Sequence, residues 1–373
     1  MIIKGKMKIG ILTYHRSHNY GALLQAIALR KVLADMGNEV TFIDYWPEYH
    51  RHMYEYFSME AFMDCNVIDK LKYVKNVLKY SKSRRGRISN FNSFIVQYIV
   101  PFTSSVTEEY DLIVHGSDQI WRKQPEWHAY NPVYFGKHDI KSSRRISYAA
   151  SMGILPDNQT DYETLRNYLS YLNQISVREA DLGKMVRCLG FECTQQIDPT
   201  LLLTGEEWAR LLEIKSEKEE RYVLYYKLLP NSFEIKEIEK FTKNRGLTLK
   251  ILHSSASRKP SRQNITTANP KQFLKLVYNA DYVFTSSFHG LVFSILFHKP
   301  FYAAFSNNAG RASSLLSLLG LSDRLLTPCS IIPDSMKEID FAKIEDLLCK
   351  YRLNSINYLK GNENKNSICA GKL

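Results

Sequence analysis

The chain of 373 residues contains no long hydrophobic run. A membrane-spanning helix needs about 18 to 20 consecutive apolar residues, and the longest apolar stretch, Leu291 to Phe297, falls far short of that length. The first residues are partly basic, but neither a long apolar segment nor a small-residue cleavage site follows them, so no secretory signal is predicted. We therefore expect a cytoplasmic protein.

Common metal-binding and phosphate-binding signatures are also missing. The six cysteines are scattered, with no CxxC pair and no histidine–cysteine cluster at zinc spacing, so we expect reduced thiols. The sequence has no HExxH, GxSxG, Walker or GxGxxG motif. These absences argue against a zinc protease, an α/β-hydrolase and a P-loop enzyme.

Positive charge, by contrast, is abundant and concentrated. The 50 basic and 38 acidic residues leave a formal net charge of +12, and residues 70–87 hold eight basic residues and no acidic one. The eight are Lys70, Lys72, Lys75, Lys79, Lys82, Arg84, Arg85 and Arg87.

Apolar residues recur at helical spacing in the same segment, at Val67, Leu71, Val74 and Leu78, which predicts a basic amphipathic helix. Two interpretations remain open. The apolar stripe could pack on the core and leave a solvated basic face. Alternatively, Lys70 to Arg87 could contact the anionic inner face of a membrane or an anionic polymer. Nucleic acid is not expected as a partner, because no recognition motif accompanies the charge.

Strand and helix patterns alternate twice along the chain. The first series begins at Lys8, and a second series begins after a charged segment at 204–220. This alternation predicts an α/β protein with two Rossmann-like, doubly wound domains that face a cleft. We place the domains at 1–203 and 204–340, with a basic helical insertion near 67–100 and a C-terminal helix and tail at 341–373.

Ligands of such sheets bind beyond the carboxyl ends of the strands, so the loops that follow strands hold the candidate site residues. After the first strand, Arg16, Asn19 and Gly21 precede a helix whose N-terminus favours anions. Asn19 could alternatively do no more than turn the chain and cap the helix.

The segment DLIVHGSDQIW at 111–121 provides a second set of polar residues at a strand end. Its small residues allow a substrate to approach the backbone, and Trp121 could stack on a sugar or belong to the core. The candidate substrate-binding residues of this segment are His115, Ser117, Asp118, Gln119 and Trp121.

Two further strand ends predict an anion site. Arg178 follows a strand, and its guanidinium can bind a carboxylate or phosphate through two parallel hydrogen bonds, although an ion pair with Glu179 or Asp198 is the alternative. The segment DYVFTSSFHG at 281–290 leads a strand into a helix. Its candidate anion-binding residues are Ser286, Ser287, His289 and Gly290, and Arg311 at the start of a later helix is a candidate second cation.

At these residues the chain resembles the polysaccharide pyruvyl transferase family. The matching segments are Asn19–Gly21, GSDQIW at 116–121, Ser176–Glu179, Asp198–Thr200 and Ser287–Gly290, in the order in which the family has them. The resemblance implies two Rossmann-like domains of the glycosyltransferase-B type. It also implies transfer of pyruvate from phosphoenolpyruvate to two sugar hydroxyls as a ketal, in surface polysaccharide biosynthesis, with no metal and no organic cofactor. The positions of Arg178 and His289 belong to the donor site in that family. The resemblance thus implies that the C-terminal domain is the donor side and the N-terminal domain the acceptor side, with the candidate residues of 115–121 binding the acceptor.

The family commonly has an arginine two residues before this histidine, where the present chain has Ser287. Either Arg311 or Arg16 supplies the missing cation, or the donor differs from phosphoenolpyruvate. In the mechanism expected from these residues, Arg178 with one of those arginines clamps the donor. His289 acts as general acid or neutralises the leaving phosphate, and Asp118 or His115 is the base.

Two rival functions remain. A glycosyltransferase of the same fold would hold the diphosphate of a nucleotide-sugar at the helix after Gly290, and it would need a carboxylate for the ribose. A non-catalytic assembly protein would bind anionic polysaccharide through the basic 70–87 segment instead.

Overall fold

We describe the protein from a computed structural model, which covers residues 6–124, 128–217, 220–228, 233–305 and 309–361. The chain forms two parallel α/β units in succession, so the predicted fold class is confirmed. No helix within these ranges is both long enough and apolar enough to cross a membrane.

The first half is built on a parallel sheet with the strand order β3-β2-β1-β4-β5. Its strands are β1 Lys8–Leu12, β2 Glu39–Ile43, β3 Thr103–Ser104, β4 Tyr110–His115 and β5 Ser142–Ser147. Two further short strands, β6 Ser176–Val177 and β7 Thr194–Gln195, pair with each other. Single bridges from Ile146 to Gln174 and from Ala150 to Val177 join them to the edge of the main sheet.

Seven helices accompany these strands in the part of the first half that the structure describes. They are α1 Tyr20–Asp35, α2 Glu48–His52, α3 Met59–Met63, α4 Val67–Lys79, α5 Ser81–Tyr98, α6 Gln159–Leu169 and α7 Ala180–Cys188, and 3-10 turns occupy Val100–Phe102, Pro132–Phe135 and Pro199–Leu202. Asn19 caps α1 by accepting hydrogen bonds from the amides of Gly21 and Ala22. The helix ends before Gly37, whose φ of +89° suits glycine.

The second half repeats the arrangement with the strand order β10-β9-β8-β11-β12-β13. Its strands are β8 Tyr222–Lys227, β9 Thr248–His253, β10 Asn264–Ile265, β11 Tyr282–Thr285, β12 Phe301–Ala304 and β13 Leu325–Leu326. Its helices are α8 Gly205–Leu211, α9 Ile235–Lys243, α10 Pro270–Asn279, α11 Phe288–Leu296 and α12 Gly310–Leu318, and a 3-10 turn occupies Ser322–Arg324. In both sheets the chain crosses outward on one side of the first strand and then on the other, as in Rossmann folds.

Helix α1 joins the two halves. It is buried along most of its length because it packs on β2 of its own sheet, on α10 of the second half and on the 3-10 turn Pro199–Leu202. At its N-terminus the ring of Tyr20 stacks on Phe273 with a centroid distance of 4.8 Å. One hydrophobic core therefore runs through both halves, and it holds the carboxyl ends of the two sheets in a defined relation.

Helix α13, Phe341–Leu359, returns to the first half. Arg352 donates to the carbonyl of Leu201, Ser355 to the side chain of Gln196 and Tyr358 to the carbonyl of Ser147. The boundaries at 203 and 340 stay predictions, and the predicted tail beyond residue 361 lies outside the described residues.

The basic insertion forms α4 and α5, and the structure tests one of the two interpretations of its apolar stripe. Val67, Leu71 and Leu78 are exposed and only Val74 is half-buried, so the interpretation in which this stripe packs on the core is wrong. The interior of the insertion is formed instead by Val77 and by residues of α5.

Candidate active site

Four segments of the chain meet between the two halves, at the carboxyl ends of the strands. They contribute Ser117 after β4, Arg178 after β6, Asp198 before the 3-10 turn and His289 in the first turn of α11. All four side chains are buried. The three residues from the first half therefore face a histidine from the second.

Arg178 is held by two partners. Its Nη1 lies 2.9 Å from Oδ2 of Asp198, and its Nη2 donates to the hydroxyl of Ser117 at 2.8 Å. Ser117 in turn donates to the carbonyl of Ala149. Since guanidinium, carboxylate and hydroxyl are all buried, the arginine has one well-defined position.

The loop that carries Ser117 is itself fixed by Gln25 of α1. The amide of Ser117 donates to Oε1 of Gln25 at 3.1 Å, and Nε2 of Gln25 donates to the hydroxyl of Thr13 at 2.8 Å. The Thr13 hydroxyl then donates to the carbonyl of Ser117 at 3.0 Å. This closed set of bonds ties the ends of β1 and β4 to the same helix.

His289 reaches the cluster because α11 begins at the preceding residue. Ser287 caps that helix through the amide of Gly290, and Nε2 of His289 lies 3.7 Å from Oδ2 of Asp198. The other side of the ring lies against Gly21, where an added Cβ would come within 1.8 Å of Nδ1. Any larger residue at position 21 would collide with the His289 ring, so the observed position of the ring requires glycine there. The N-termini of α1 and α11 meet at this contact.

Asp198 is ionised despite complete burial. Burial alone would raise the pKa of this carboxyl, but the charge of Arg178 and the contact with His289 hold it well below its ordinary value. Its carboxylate also accepts hydrogen bonds from the amide and hydroxyl of Thr200. One anion thus compensates a buried arginine and orients a histidine.

A second arginine joins the cluster from α12. The guanidinium carbons of Arg311 and Arg178 lie 5.5 Å and 5.2 Å from the ring centroid of Phe288. Burial and then the positive charge of Arg178 lower the pKa of Arg311, and the charges of Glu179, Asp118 and Asp198 oppose that effect. Two cations therefore flank one aromatic ring at the mouth of α11.

Several buried polar atoms at this place have no hydrogen-bond partner among the residues that the structure describes. They are Nε of Arg178, Nε2 of His289, Oδ2 of Asp198 and Oε2 of Glu179, although Asp198 is ion-paired with Arg178. Buried polar groups in folded proteins are normally satisfied, so such a concentration is typical of a ligand site. The donors Arg178 and His289 suit an anion.

Asp118 faces the cluster from the first half. It is half-buried with a φ of +73°, and one carboxylate oxygen accepts a hydrogen bond from the amide of Gln119. Burial lowers the pKa of the neighbouring His50 to about 4, against the opposing charge of Asp118. The His50 ring contacts Tyr14 at a centroid distance of 4.2 Å. A carboxylate beside aromatic rings is suited to a polar ring-shaped ligand such as a sugar.

The comparison with known families agrees with this geometry. The model of the polysaccharide pyruvyl transferase family matches residues 19–308, which include all the residues of the cluster except Arg311. This chain belongs to the polysaccharide pyruvyl transferase family. It is accordingly a transferase.

Comparisons with other proteins are more distant. A putative UDP-N-acetylglucosamine 2-epimerase from Listeria monocytogenes is 8% identical with a TM-score of 0.46, over 96% of this chain and 90% of that one. Arabidopsis thaliana UGT89C1 complexed with UDP is 10% identical with a TM-score of 0.47, over 95% and 99% of the two chains. No curated protein sequence matches this chain. Likenesses at this level do not bear on the substrate.

Three predicted site residues of this family member need correction. Trp121 is fully buried, stacks on Phe135 and donates to the carbonyl of Tyr134, so it belongs to the core and cannot stack on a sugar. His115 is also fully buried with its ring against His138, and burial lowers its pKa well below the ordinary value. It has no access to an acceptor hydroxyl.

Arg16 is the third correction. Its guanidinium makes two hydrogen bonds of 2.7 Å to Asp44 and lies over the ring of Trp46. This cation is therefore neutralised at the end of β2. Of the two arginines expected to compensate for Ser287, the structure brings Arg311 to the cluster.

The remaining predicted residues support the backbone around the site. Ser286 accepts a hydrogen bond from the amide of Leu228, and Ser287 and Asn19 are helix caps. Gly290 is buried where a Cβ would lie 2.2 Å from the Thr285 hydroxyl. These residues support the backbone. Gln119 is half-buried next to Asp118, with its side chain against Gly153.

The sequence-based set of site residues omitted Asp198, Glu179 and Phe288. The sequence indicates the first two only as ion-pair partners of Arg178, and the Asp-Pro-Thr segment that carries Asp198 is the signal that points to this residue. Ser151 donates to Oε1 of Glu179 at 2.6 Å, which holds this second buried carboxylate beside the arginines. Within the described residues, no group of three His, Cys, Asp or Glu side chains is arranged to bind a metal ion.

Proposed function

We propose that this protein transfers the pyruvyl group of phosphoenolpyruvate to two hydroxyls of a saccharide, which forms a cyclic ketal in surface polysaccharide biosynthesis. The observation that carries the proposal is that the buried Arg178 and His289 lie together with the half-buried Arg311 around Phe288. Nε of Arg178 and Nε2 of His289 are buried donors without a hydrogen-bond partner among the described residues, and they lie at the N-terminus of α11 in a member of the pyruvyl transferase family. Phosphoenolpyruvate, the co-substrate, carries a phosphate and a carboxylate on three carbons, and two guanidinium groups match those two anions.

In this mechanism the donor is first protonated at its methylene carbon. Positive charge develops at C2, and one acceptor hydroxyl attacks this carbon. Phosphate then leaves, and the second hydroxyl attacks the same carbon and closes the ketal. Of the two hydroxyl protons, one ends in the new methyl group and the other leaves with the phosphate. His289 supplies the proton or stabilises the departing phosphate, and Arg178 and Arg311 hold the anions throughout.

Asp198 is a positioning residue in this proposal. Its carboxylate pairs with Arg178 and lies 3.7 Å from Nε2 of His289, so it positions both side chains relative to each other. Asp118 is the proposed base for the acceptor hydroxyl, because it is a half-buried carboxylate of the first half whose charge reaches Arg311. The acceptor is a sugar, an oligosaccharide or a lipid-linked saccharide, met in the cytoplasm at or near the inner face of a membrane.

The test is phosphate release from phosphoenolpyruvate in the presence of a panel of methyl glycosides and disaccharides, followed by NMR of the product. In D2O the ketal methyl group should carry one deuteron. His289→Asn should lower the rate at least about a hundredfold while the protein unfolds at the same temperature. His298→Asn, at the other end of α11 and exposed, is the matched control and should retain wild-type turnover.

Two results would overturn the proposal. One is a wild-type rate in a folded His289→Asn protein. The other is phosphoenolpyruvate-independent transfer from a nucleotide-sugar, which would assign the anion site to a diphosphate and the protein to the glycosyltransferases.

A further inference from the structure

The exposed face of α4 is unusual for a helix of a water-soluble protein. Val67, Leu71 and Leu78 are 75%, 71% and 67% exposed, and Ile68 is exposed as well. The opposite side of the same helix is the packed one: Val77 is buried, and the hydroxyl of Tyr73 accepts a hydrogen bond from the amide of Ser58. The apolar stripe is therefore directed away from the protein.

The spacing of these residues defines one surface. At 100° per residue, Val67, Leu71 and Leu78 fall within about 40° of one another around the helix axis, and Ile68 borders them. We call Val67, Ile68, Leu71 and Leu78 the outer face of α4. Exposed apolar side chains that share one helix face in this way mark an interaction site.

Lysines border the outer face. Lys72, Lys75 and Lys79 lie next to it on the helix and are exposed, and Lys82 follows at the start of α5. Asp69 is the one acidic residue of α4, and its carboxylate pairs with Lys72 at 2.9 Å. An apolar stripe with lysines along one edge suits a partner in which an anionic surface layer covers an apolar interior.

Not all of the basic segment is available. Arg87 is buried and donates to the hydroxyl of Tyr20, and Arg84 donates to the carbonyl of Tyr56. Arg84 and Arg87 are therefore removed from the predicted contact surface of Lys70 to Arg87. Arg87 instead makes hydrogen bonds between the two halves, to Tyr20 and to the carbonyl of Thr266.

We propose that the outer face of α4 inserts into the surface of an anionic phospholipid bilayer, with Lys72, Lys75 and Lys79 at the level of the headgroups. Charge decides between this occupant and a second copy of the chain. Two copies packed through this face would bring two rows of lysines together, which is unfavourable, whereas anionic headgroups neutralise them.

The position of the helix links this contact to the candidate active site. Helix α5 continues from α4 and bridges both halves: Ser83 donates to the carbonyl of Arg258, and Asn90 to the carbonyl of Thr267. Its Arg87 reaches Tyr20, next to the Gly21 that contacts His289. If the proposed transferase function holds, this geometry favours an acceptor carried on a membrane lipid.

The test is co-sedimentation of the full chain with vesicles of phosphatidylcholine alone and of phosphatidylcholine mixed equally with phosphatidylglycerol. We expect binding to the anionic vesicles that falls as salt is added. Leu71→Gln combined with Leu78→Gln should weaken binding at least about tenfold. The matched control is Leu353→Gln, because Leu353 is a similarly exposed leucine of α13, and it should bind like the wild type.

A second variant replaces Lys72, Lys75 and Lys79 with glutamine and should weaken binding about a hundredfold, from about fivefold for each lysine near an anionic surface. Absence of wild-type binding to anionic vesicles would overturn the proposal. So would equal weakening by Leu353→Gln, or a stable dimer that the two leucine substitutions dissociate. None of these readouts involves phosphoenolpyruvate, so this surface and the proposed reaction can fail separately.

Discussion

The protein has two positively charged regions that are built in opposite ways. Between the two halves, Arg178 and His289 are buried and share the single carboxylate of Asp198. On α4, Lys72, Lys75 and Lys79 are exposed, and Asp69 is the one acidic residue of the helix. The first region has few charges in fixed positions, and the second has many charges with little positional constraint.

The difference shows that the amount of charge and its functional role are separate properties. A buried ion pair requires its partner, because an uncompensated charge in a desolvated place is costly. Exposed charges are screened by water and salt, so each contributes little to stability, and their sum matters only to a large anionic partner. Substitutions in the two regions should therefore differ strongly in their effects.

The largest effect should come from Asp198→Asn. This change leaves Arg178 buried without its anion, and we expect a loss of about 3 to 5 kcal/mol in the free energy of unfolding, measured by urea denaturation. The counterpart on α4 is Asp69→Asn, which removes an exposed pair with Lys72 and should cost less than about 1 kcal/mol. Equal losses in the two variants would contradict the contrast between the regions.

The next effect is catalytic. Gly21→Ala places a methyl group within 1.8 Å of the present position of Nδ1 of His289, so the ring must move. If His289 acts on the donor, we expect phosphate release to fall about a hundredfold, because displacements of about 1 Å have effects of that size. Gly86→Ala on α5 is the control, since its new methyl group meets only the Thr267 side chain, at 3.2 Å. Unchanged turnover in Gly21→Ala would show that the contact with His289 is not needed.

The pH dependence of stability sharpens the same comparison. The pKa of Asp198 is lower in the folded protein than in the unfolded chain, where it is about 3.9. Its stabilising contribution is thus fully present above about pH 4 and declines as the pH falls further towards the folded-state pKa. The difference in unfolding free energy between wild type and Asp198→Asn should be constant from pH 7 to pH 5 and smaller at pH 3.5. If the difference in unfolding free energy grew as the pH fell, folding would raise the pKa of Asp198 instead of lowering it, which would contradict this prediction.

The smallest effect is expected on α4. Replacing Lys72, Lys75 and Lys79 with glutamine should change the free energy of unfolding by less than about 0.5 kcal/mol and leave the affinity for phosphoenolpyruvate unchanged. Thermal unfolding and calorimetry measure the two quantities. A clear loss of affinity for phosphoenolpyruvate would mean that α4 influences the candidate active site even when no membrane is present.

Much of the fold could be predicted from sequence because its signals are local. The alternation of strand and helix patterns predicted two doubly wound units, the first series begins at Lys8 as β1 does, and the segment 281–290 leads a strand into a helix as predicted. No sequence pattern indicates the edge strands β3 and β13, since two residues carry no periodicity and pair only because a neighbouring strand is present.

The candidate site was predictable in its segments but less so in its side chains. The rule that ligands bind at the carboxyl ends of strands selected the loops with Arg178 and His289. It could not distinguish Trp121, which points into the core, from Asp118 three residues earlier, because burial depends on partners such as Phe135 that are distant in sequence. For the same reason the choice between Arg311 and Arg16 required the position of Asp44.

The most direct test of the account is calorimetric titration of phosphoenolpyruvate into the wild type, Arg311→Gln and Arg16→Gln. Arg311 stands beside Phe288 in the cluster, whereas Arg16 is neutralised by Asp44. We expect saturable binding to the wild type, at least about tenfold weaker binding to Arg311→Gln and wild-type binding to Arg16→Gln. Loss of binding in Arg16→Gln with retention in Arg311→Gln, or no binding by the wild type, would contradict the account.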